Sequence, residues 1–482
     1  MNLSTPQRAE TGDRLKIREY VGYGLGDTAS NFFFQMFGIF LIYYYVDVWG
    51  IDAAKVALMM LVVRLFDAIN DPVMGLIADR TNTRWGKFRP YILFGAIPYG
   101  ICGYMMFAGP DLSENGKLLY AYITYALMLV SYTVINVPYS SLMGVLSPSS
   151  RTRAVASSYR FTGAFTGGFL ISLFVRPLVK YLGGDNETLG FQLTMAIFAV
   201  VSVIMFWITF GTTKERVKPP AGQKTNMWEE LGELFRNWPW IMLLVASILS
   251  TTFIALRSGS TVFYFKYVVG SEDTPLFNIG SLDFDRTTIF LSTGMLAQIA
   301  GTVMLGFIAR RIDKKYAAGI LCVITGICFA SFWFLPKEQF VLLVVVNAIG
   351  YLCMGPTSAL TWALYGDVAD YGEWKFGRRS TGLVFSASLF SIKTGVTVGG
   401  FLLPWFLASF GYVKPPEGTD YIEQTPRAIF GITLAFSLVP GFIALLKGAA
   451  LFTYPLNQKH VSDIEKELNA RRVAESNERE QE

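Results

Sequence analysis

Long apolar runs separated by short polar stretches recur from one end of the chain to the other. A helix rises about 1.5 Å per residue and the hydrocarbon core of a bilayer is about 30 Å thick, so about 20 mostly apolar residues make one crossing. That rule predicts twelve spans. The first six run over 22–47, 56–79, 91–109, 118–146, 158–182 and 192–211. The second six run over 239–268, 287–309, 317–335, 340–366, 381–410 and 428–452. Lipid offers no partners to backbone N–H and C=O groups, and the runs are too long for barrel strands, so the spans are predicted to be helices. The expected fold class is an all-α membrane protein.

The polar stretches alternate in sign. One set is basic, with Arg80, Arg84, Lys87, Arg89, Arg310, Arg311, Lys314 and Lys315 among its residues, and the other is short and acidic, with Asp47, Asp52, Asp111 and Asp185. The positive-inside rule then places both termini in the cytoplasm and requires an even number of spans. The opening MNLSTPQRAETGDRLK is polar and mixed in charge, unlike a cleavable signal, so the first apolar run is expected to remain as a span.

The longest basic stretch divides the spans six and six. The expected organisation is a bundle over 1–211, a cytoplasmic linker over 212–238, a second bundle over 239–452 and a tail over 453–482. The halves echo each other: GLIADR (75–80) leaves the second span and GFIARR (306–311) leaves the eighth. A duplicated six-helix unit with pseudo-symmetry requires such an echo at the same topological point.

Composition narrows the chemistry. Of the 482 residues, 52% are hydrophobic and only 16% charged, which fits lipid as the main solvent and excludes intrinsic disorder. The net charge of +5 is distributed by topology, so no nucleic-acid partner is expected. Four cysteines without metal-ligand spacing and a single histidine, His460, leave no material for a zinc site or a Ser–His–Asp triad. A phosphate-binding G-x-x-x-x-G-K-[ST] loop is absent from the sequence, which argues against ATP drive. An enzyme is not expected, nor is a cofactor.

Charges inside the spans carry the functional signal, because an ionised side chain at mid-bilayer costs about 2.5–3.5 kcal/mol on insertion scales. The second span holds Arg64, Asp67 and Asp71 on one helical stripe. Two carboxylates on one face repel each other, which favours capture of a proton or a metal cation, and the arginine one turn away can exchange partners when the cation arrives. Asp27, Arg160, Arg257 and Lys393 stand on four other spans, and cationic groups of this kind are suited to gripping hydroxyls or a carboxylate. Lys266 and Arg176 lie near span ends and are expected to snorkel to the interface. Tyr43, Tyr44, Tyr45 and Trp49 read as an aromatic belt, with Trp238 and Trp240 the same on the other side. The glycines of GYGLGD and Gly163, Gly167 and Gly168 read as close helix-packing faces, and the tail as a solvated end.

At RLFDAINDPVMGLIADRTNTRWGKFRP the chain resembles the glycoside–pentoside–hexuronide:cation symporters, melibiose-permease-like sugar carriers of the major facilitator superfamily. GYGLGD, YTVINVPY and GDVADYGEWKFGRRSTG match in order along nearly the whole chain. The resemblance implies two six-helix bundles that rock around a central site and import a sugar or glycoside with H⁺ or Na⁺. It implies that Asp67 and Asp71 bind the cation, with Thr133 coordinating, and that Arg160 and Lys393 belong to the sugar pocket. Asp27, Asn31, Asn136 and Arg257 complete the expected substrate site, and Asn136 is also expected beside the cation. The resemblance further implies gating roles for Asp79, Arg80, Arg84, Lys87, Asp367, Asp370 and Glu373.

Asn31 and Asn136 stand where the melibiose-type pattern has aspartates. Losing a carboxylate from the cage favours H⁺ over Na⁺, so Asp67 and Asp71 become metal ligands only if the carrier is sodium-coupled. With Arg160, Arg257 and Lys393 retained, the balance leans towards an acidic glycoside, and a pentoside stays open. One positive charge crossing 100 mV yields about 2.3 kcal/mol and each tenfold accumulation costs about 1.4 kcal/mol, so one cation per sugar sustains roughly a fifty-fold gradient. The expected setting is the bacterial inner membrane, as a monomer in lipid. A lysolipid carrier on the same fold and a sugar-sensing receptor without turnover are the alternatives.

Overall fold

The computed structural model of the chain describes residues 15–147, 150–216, 232, 234–270, 275–308, 311–377, 381–416 and 421–481. Twelve spans are helical as predicted, ten of them within five residues of the expected bounds. The first six spans are α1 (Ile17–Ile39) continuing through α2 (Leu41–Tyr43), then α3 (Ala53–Arg80), α4 (Arg89–Met105), α5 (Glu114–Leu146), α6 (Ser150–Gly183) and α7 (Glu187–Thr212). The next six begin with α8 (Trp238–Tyr264), α9 (Arg286–Ile308) and α10 (Lys314–Ser331). They end with α11 (Phe340–Phe376), α12 (Thr381–Ser409) and the pair α13 (Pro426–Phe436) and α14 (Leu438–Phe452), with α15 (Gln458–Gln481) as the tail. An antiparallel hairpin, β1 (Phe277–Ile279) with β2 (Leu282–Phe284), is an addition that the all-α reading did not contain.

Local chemistry sets the helix starts. Ser113, Asn186, Asn237, Asp313 and Thr425 each precede a helix and accept a hydrogen bond from a backbone N–H in its first turn. Proline follows in the first turn of α8 and α13, where the missing N–H costs nothing. Among the described residues, ten spans are long and apolar enough to cross a membrane by length and composition when the bent first span is counted as one. The other two are α3, which carries the charged stripe, and α4, which has only 17 residues.

Two spans are broken. The first bends by 51° between α1 and α2, at Phe40. The helix of the twelfth is interrupted at Ser437, between α13 and α14. The first and seventh spans also end alike, each in one wider π-type turn: Tyr44–Val48 and Phe265–Val269. Gly50 (φ 74°) and Gly270 (φ 69°) follow these turns in the left-handed region open to glycine.

The helices pack as two compact units. One joins Met1–Phe37 to Leu65–Gly222; the other joins Gly38–Arg64 to Gln223–Glu482. Spatial grouping therefore departs from chain order at one place. The segment 38–64, from the first two spans, packs with the second unit. Within the first unit α4 lies against α5 and α7, and α6 against α7. Within the second, α9 lies against α11, α10 against α11 and α14, and α8 against α12, α13 and α14.

Candidate functional site: a paired-acid cluster and a buried ion pair

In the first unit, α3 and α5 bring together three of the expected cation-site residues. Asp67 is 3% exposed and Asp71, one turn on, is half-buried. The Thr133 hydroxyl of α5 donates to Asp71 Oδ1 at 2.9 Å and stands 3.4 Å from Asp67 Oδ1. One proton satisfies one carboxylate at a time, so the hydroxyl favours Asp71 and its lone pairs stay available. The patch is a set of hard oxygens suited to a proton or a small monovalent cation. Asn136, one turn beyond Thr133, is engaged differently: its Oδ1 accepts from Ser30 Oγ at 2.9 Å and its Nδ2 donates to Tyr132 O at 3.1 Å. Arg64 is half-buried one turn before Asp67 in α3.

The first unit also pairs two expected sugar-site residues. Arg160 Nε of α6 donates to Asp27 Oδ1 of α1 at 3.3 Å, and a terminal guanidinium nitrogen donates to Ser140 Oγ at 3.2 Å. The side chains are 27% and 10% exposed. The Arg160 guanidinium also lies over the Tyr139 ring at 5.2 Å, and Tyr139 stacks on Tyr23 at 4.7 Å. Close approach of α1 and α6 makes the pair possible, since a Cβ on Gly163 would stand 2.2 Å from the Gly24 carbonyl oxygen. Asn31 donates to the Asp27 carbonyl at 2.9 Å, within its own helix.

Arg257 is placed otherwise than the sequence suggested. It is 1% exposed in the second unit, with the rings of Phe436, Phe332 and Phe329 at 3.5, 4.3 and 4.6 Å from its guanidinium carbon. It donates to the Phe436 carbonyl at 2.6 Å, at the break in the twelfth span, and to Asn347 Oδ1 at 3.2 Å. The break frees a backbone carbonyl, and the arginine satisfies it; this is a structural tie. Lys393 is half-buried on α12.

Among the expected gating residues, Arg80 is exposed and Arg84 lies over the Trp85 ring at 4.2 Å. The side chain of Asp79 lies outside the described residues, as do 217–231 of the linker. Asp367 of α11 accepts two hydrogen bonds from Lys314 Nζ, each 3.0 Å. Asp370 and Glu373 are half-buried on the same helix. The backbone N–H groups of Lys87, Phe88 and Arg89 all donate to the carboxylate of Glu215, at 2.8, 2.8 and 3.1 Å. Sequence reasoning missed Glu215, which sits in a lysine-rich stretch; the signal was the open N-terminus of α4, a ready anion site.

Three further expectations are corrected. Tyr43, Tyr44 and Tyr45 are 0% exposed and Trp49 is 5%, so they are packed inside the second unit and form no belt, whereas Trp238 is exposed and Trp240 is buried. Lys266 does not snorkel: it is 3% exposed and its Nζ stands 2.6 Å from Asp47 Oδ2. The tail is docked. Val461, Ile464 and Leu468 are buried in one cluster with Leu234 and Trp240, and Trp374 Nε1 donates to Glu467 Oε2 at 2.6 Å. Among the described residues, no group of three or more His, Cys, Asp or Glu side chains could hold a metal ion.

Residues 22–458 match the family described as MFS/sugar transport protein. The chain is 36% identical over 436 residues to the inner membrane symporter YicJ of Escherichia coli (strain K12), covering 90% of each. It is 32% identical to the isoprimeverose transporter of Lactiplantibacillus pentosus, covering 93% of this chain and 91% of that one. It is also 32% identical to the glucuronide carrier protein homolog of Escherichia coli (strain K12), covering 95% and 97%. Among solved structures, peptide transporter POT in complex with sulfate superposes with a TM-score of 0.61 at 15% identity, covering 96% of this chain and 98% of that one. Nucleoside transporter NupG gives 0.62 at 13%, covering 91% and 99%. These two likenesses concern the fold alone.

Proposed function

The chain belongs to the MFS/sugar transport protein family, and from that membership we propose that it is a secondary carrier importing a glycoside with a coupling cation, H⁺ in preference to Na⁺. Its place is the bacterial inner membrane, with both termini in the cytoplasm. The observation that carries the coupling reading is the cluster of Asp67, Asp71 and Thr133 within the first unit. A proton needs only one acid of this pair. A sodium cage would also want the Asn136 oxygen, which already accepts from Ser30.

The Asp27–Arg160 pair is the proposed sugar grip. A carboxylate and a guanidinium side by side offer an acceptor and a donor to neighbouring hydroxyls of one sugar ring. With Arg160 balanced by Asp27 and Arg257 occupied elsewhere, two of the three cations that favoured a uronide are engaged within the protein. A glycoside or pentoside recognised through its hydroxyls is therefore the favoured cargo.

Purified protein in proteoliposomes tests this. Imposed proton gradients should drive accumulation of at least one labelled glycoside from a panel of pentosides, hexosides and hexuronides. Binding without accumulation under either a proton or a sodium gradient would make the protein a sensor instead. Replacing Lys393 by Gln should weaken binding of hexuronides more than of neutral sugars.

A further inference from the structure

The segment Gly38–Arg64 belongs in chain order to the first two spans, yet it packs within the second unit. What holds it there is a cluster that the transport reading does not use. Asp47, in the π-type turn that ends the first span, has its side chain 0% exposed, and Lys266, in the matching turn of the seventh, has 3%. Lys266 Nζ also donates to the Tyr43 hydroxyl at 2.9 Å. On the other carboxylate oxygen of Asp47, the Tyr267 hydroxyl donates at 2.5 Å and the Tyr412 hydroxyl donates as well. Tyr412 follows α12, and two residues on Lys414 donates to the Gly50 carbonyl at 2.7 Å. One carboxylate thus gathers the ends of the first, seventh and eleventh spans.

The packing just inside this cluster is equally close. A Cβ on Gly259 of α8 would stand 2.9 Å from Leu403, 3.4 Å from the Gly38 carbonyl and 3.8 Å from Ile42. Glycine here lets the 38–42 backbone lie directly against α8. The bend of 51° at Phe40 turns the end of the first span onto this surface. The tail cluster includes Trp240, at the start of α8, whereas Lys266 lies just past its end, so the two lie about 40 Å apart along one helix.

We propose that Asp47 and Lys266, with the hydroxyls of Tyr43, Tyr267 and Tyr412, form a latch that holds the 38–64 hairpin closed against the second unit at the end remote from the tail. The hairpin is continuous with α1 and α3, most of whose length lies in the first unit. Any cycle that moves the end of the first span away from α8 must release the hairpin, and Phe40 is the joint about which it swings. Wide helical turns recur at functional sites because they are easily rearranged, and this protein carries one on each side of the ion pair. The role in a cycle rests on the alternating-access reading above. The latch itself does not depend on which sugar or ion is carried.

The test is made on the full chain in intact cells, with Ile42→Cys as reporter. Ile42 is 4% exposed beneath the latch, and its labelling by a membrane-impermeant maleimide is measured against the parent chain. Removing both charges together, as Asp47→Asn with Lys266→Met, leaves no lone buried ion. In that background the reporter should label at least tenfold faster, with sugar absent. Unchanged labelling would overturn the latch, whatever transport the variant shows. Should the double variant fail to reach the membrane, Tyr412→Phe removes one hydroxyl and should speed labelling about threefold; an unchanged rate there overturns the proposal equally. A carrier whose reporter behaves as expected but which accumulates no sugar would refute the transport reading and leave the latch standing.

Discussion

Each unit buries an acid–base pair between helices, and the two pairs are built for different work. Asp27 and Arg160 in the first unit meet at 3.3 Å, with the arginine 27% exposed and a serine hydroxyl as second partner. Asp47 and Lys266 in the second meet at 2.6 Å, almost wholly enclosed and surrounded by three tyrosine hydroxyls. Each pair sets one carboxylate beside one cation. Exposure and the number of satisfied lone pairs separate them: the looser pair keeps access to other partners and the sealed one does not, which is why we propose a grip for the first and a latch for the second. Asp67 and Asp71 stand apart from either, as two acids sharing a hydroxyl.

This comparison can be broken by variants that should disturb one unit's role and spare the other's. Largest is Asp71→Asn, which should abolish concentrative uptake, a drop from roughly fifty-fold accumulation to none, while counterflow exchange survives. Next is Lys266→Met alone, which strands the buried Asp47 carboxylate and should cost about 3–5 kcal/mol of stability. A lowered thermal midpoint in detergent would show it, with sugar affinity of the folded fraction little changed. Arg160→Lys should do the opposite: about tenfold weaker sugar binding by calorimetry, from a lost charged hydrogen bond worth about 1.5 kcal/mol, with the midpoint preserved. If Arg160→Lys destabilised as much as Lys266→Met, the distinction between grip and latch would fail. Smallest is Glu215→Gln, which keeps the shape but removes the charge that meets three N–H groups at the start of α4; about 1 kcal/mol of stability should go.

Ten of the twelve spans were legible because length and hydropathy decide them, and the paired acids because a charge in lipid demands a reason. Thr133 came with the family motif, and the structure sets it between the two carboxylates. The latch was illegible for a physical reason. Tyrosines and tryptophan at a span end are what an interface also selects, and only the bend at Phe40 turns them inward. Asp47 and Lys266 lie 219 residues apart in sequence, so neither announces the other. Arg257 read as a ligand group because the break at Ser437 that engages it leaves no mark in composition. The tail read as solvated because its apolar stripe, Val461, Ile464 and Leu468, is thin among many charges.

The most direct measurement follows ions while sugar enters. A transported glycoside is added to energy-depleted cells in lightly buffered medium, with proton and sodium electrodes in place. Wild-type cells should alkalinise the medium as the sugar moves in, and cells with Asp71→Asn should not. Sugar entry with neither ion moving, or an Asp71→Asn chain that alkalinises like wild type, would contradict coupling through the paired acids.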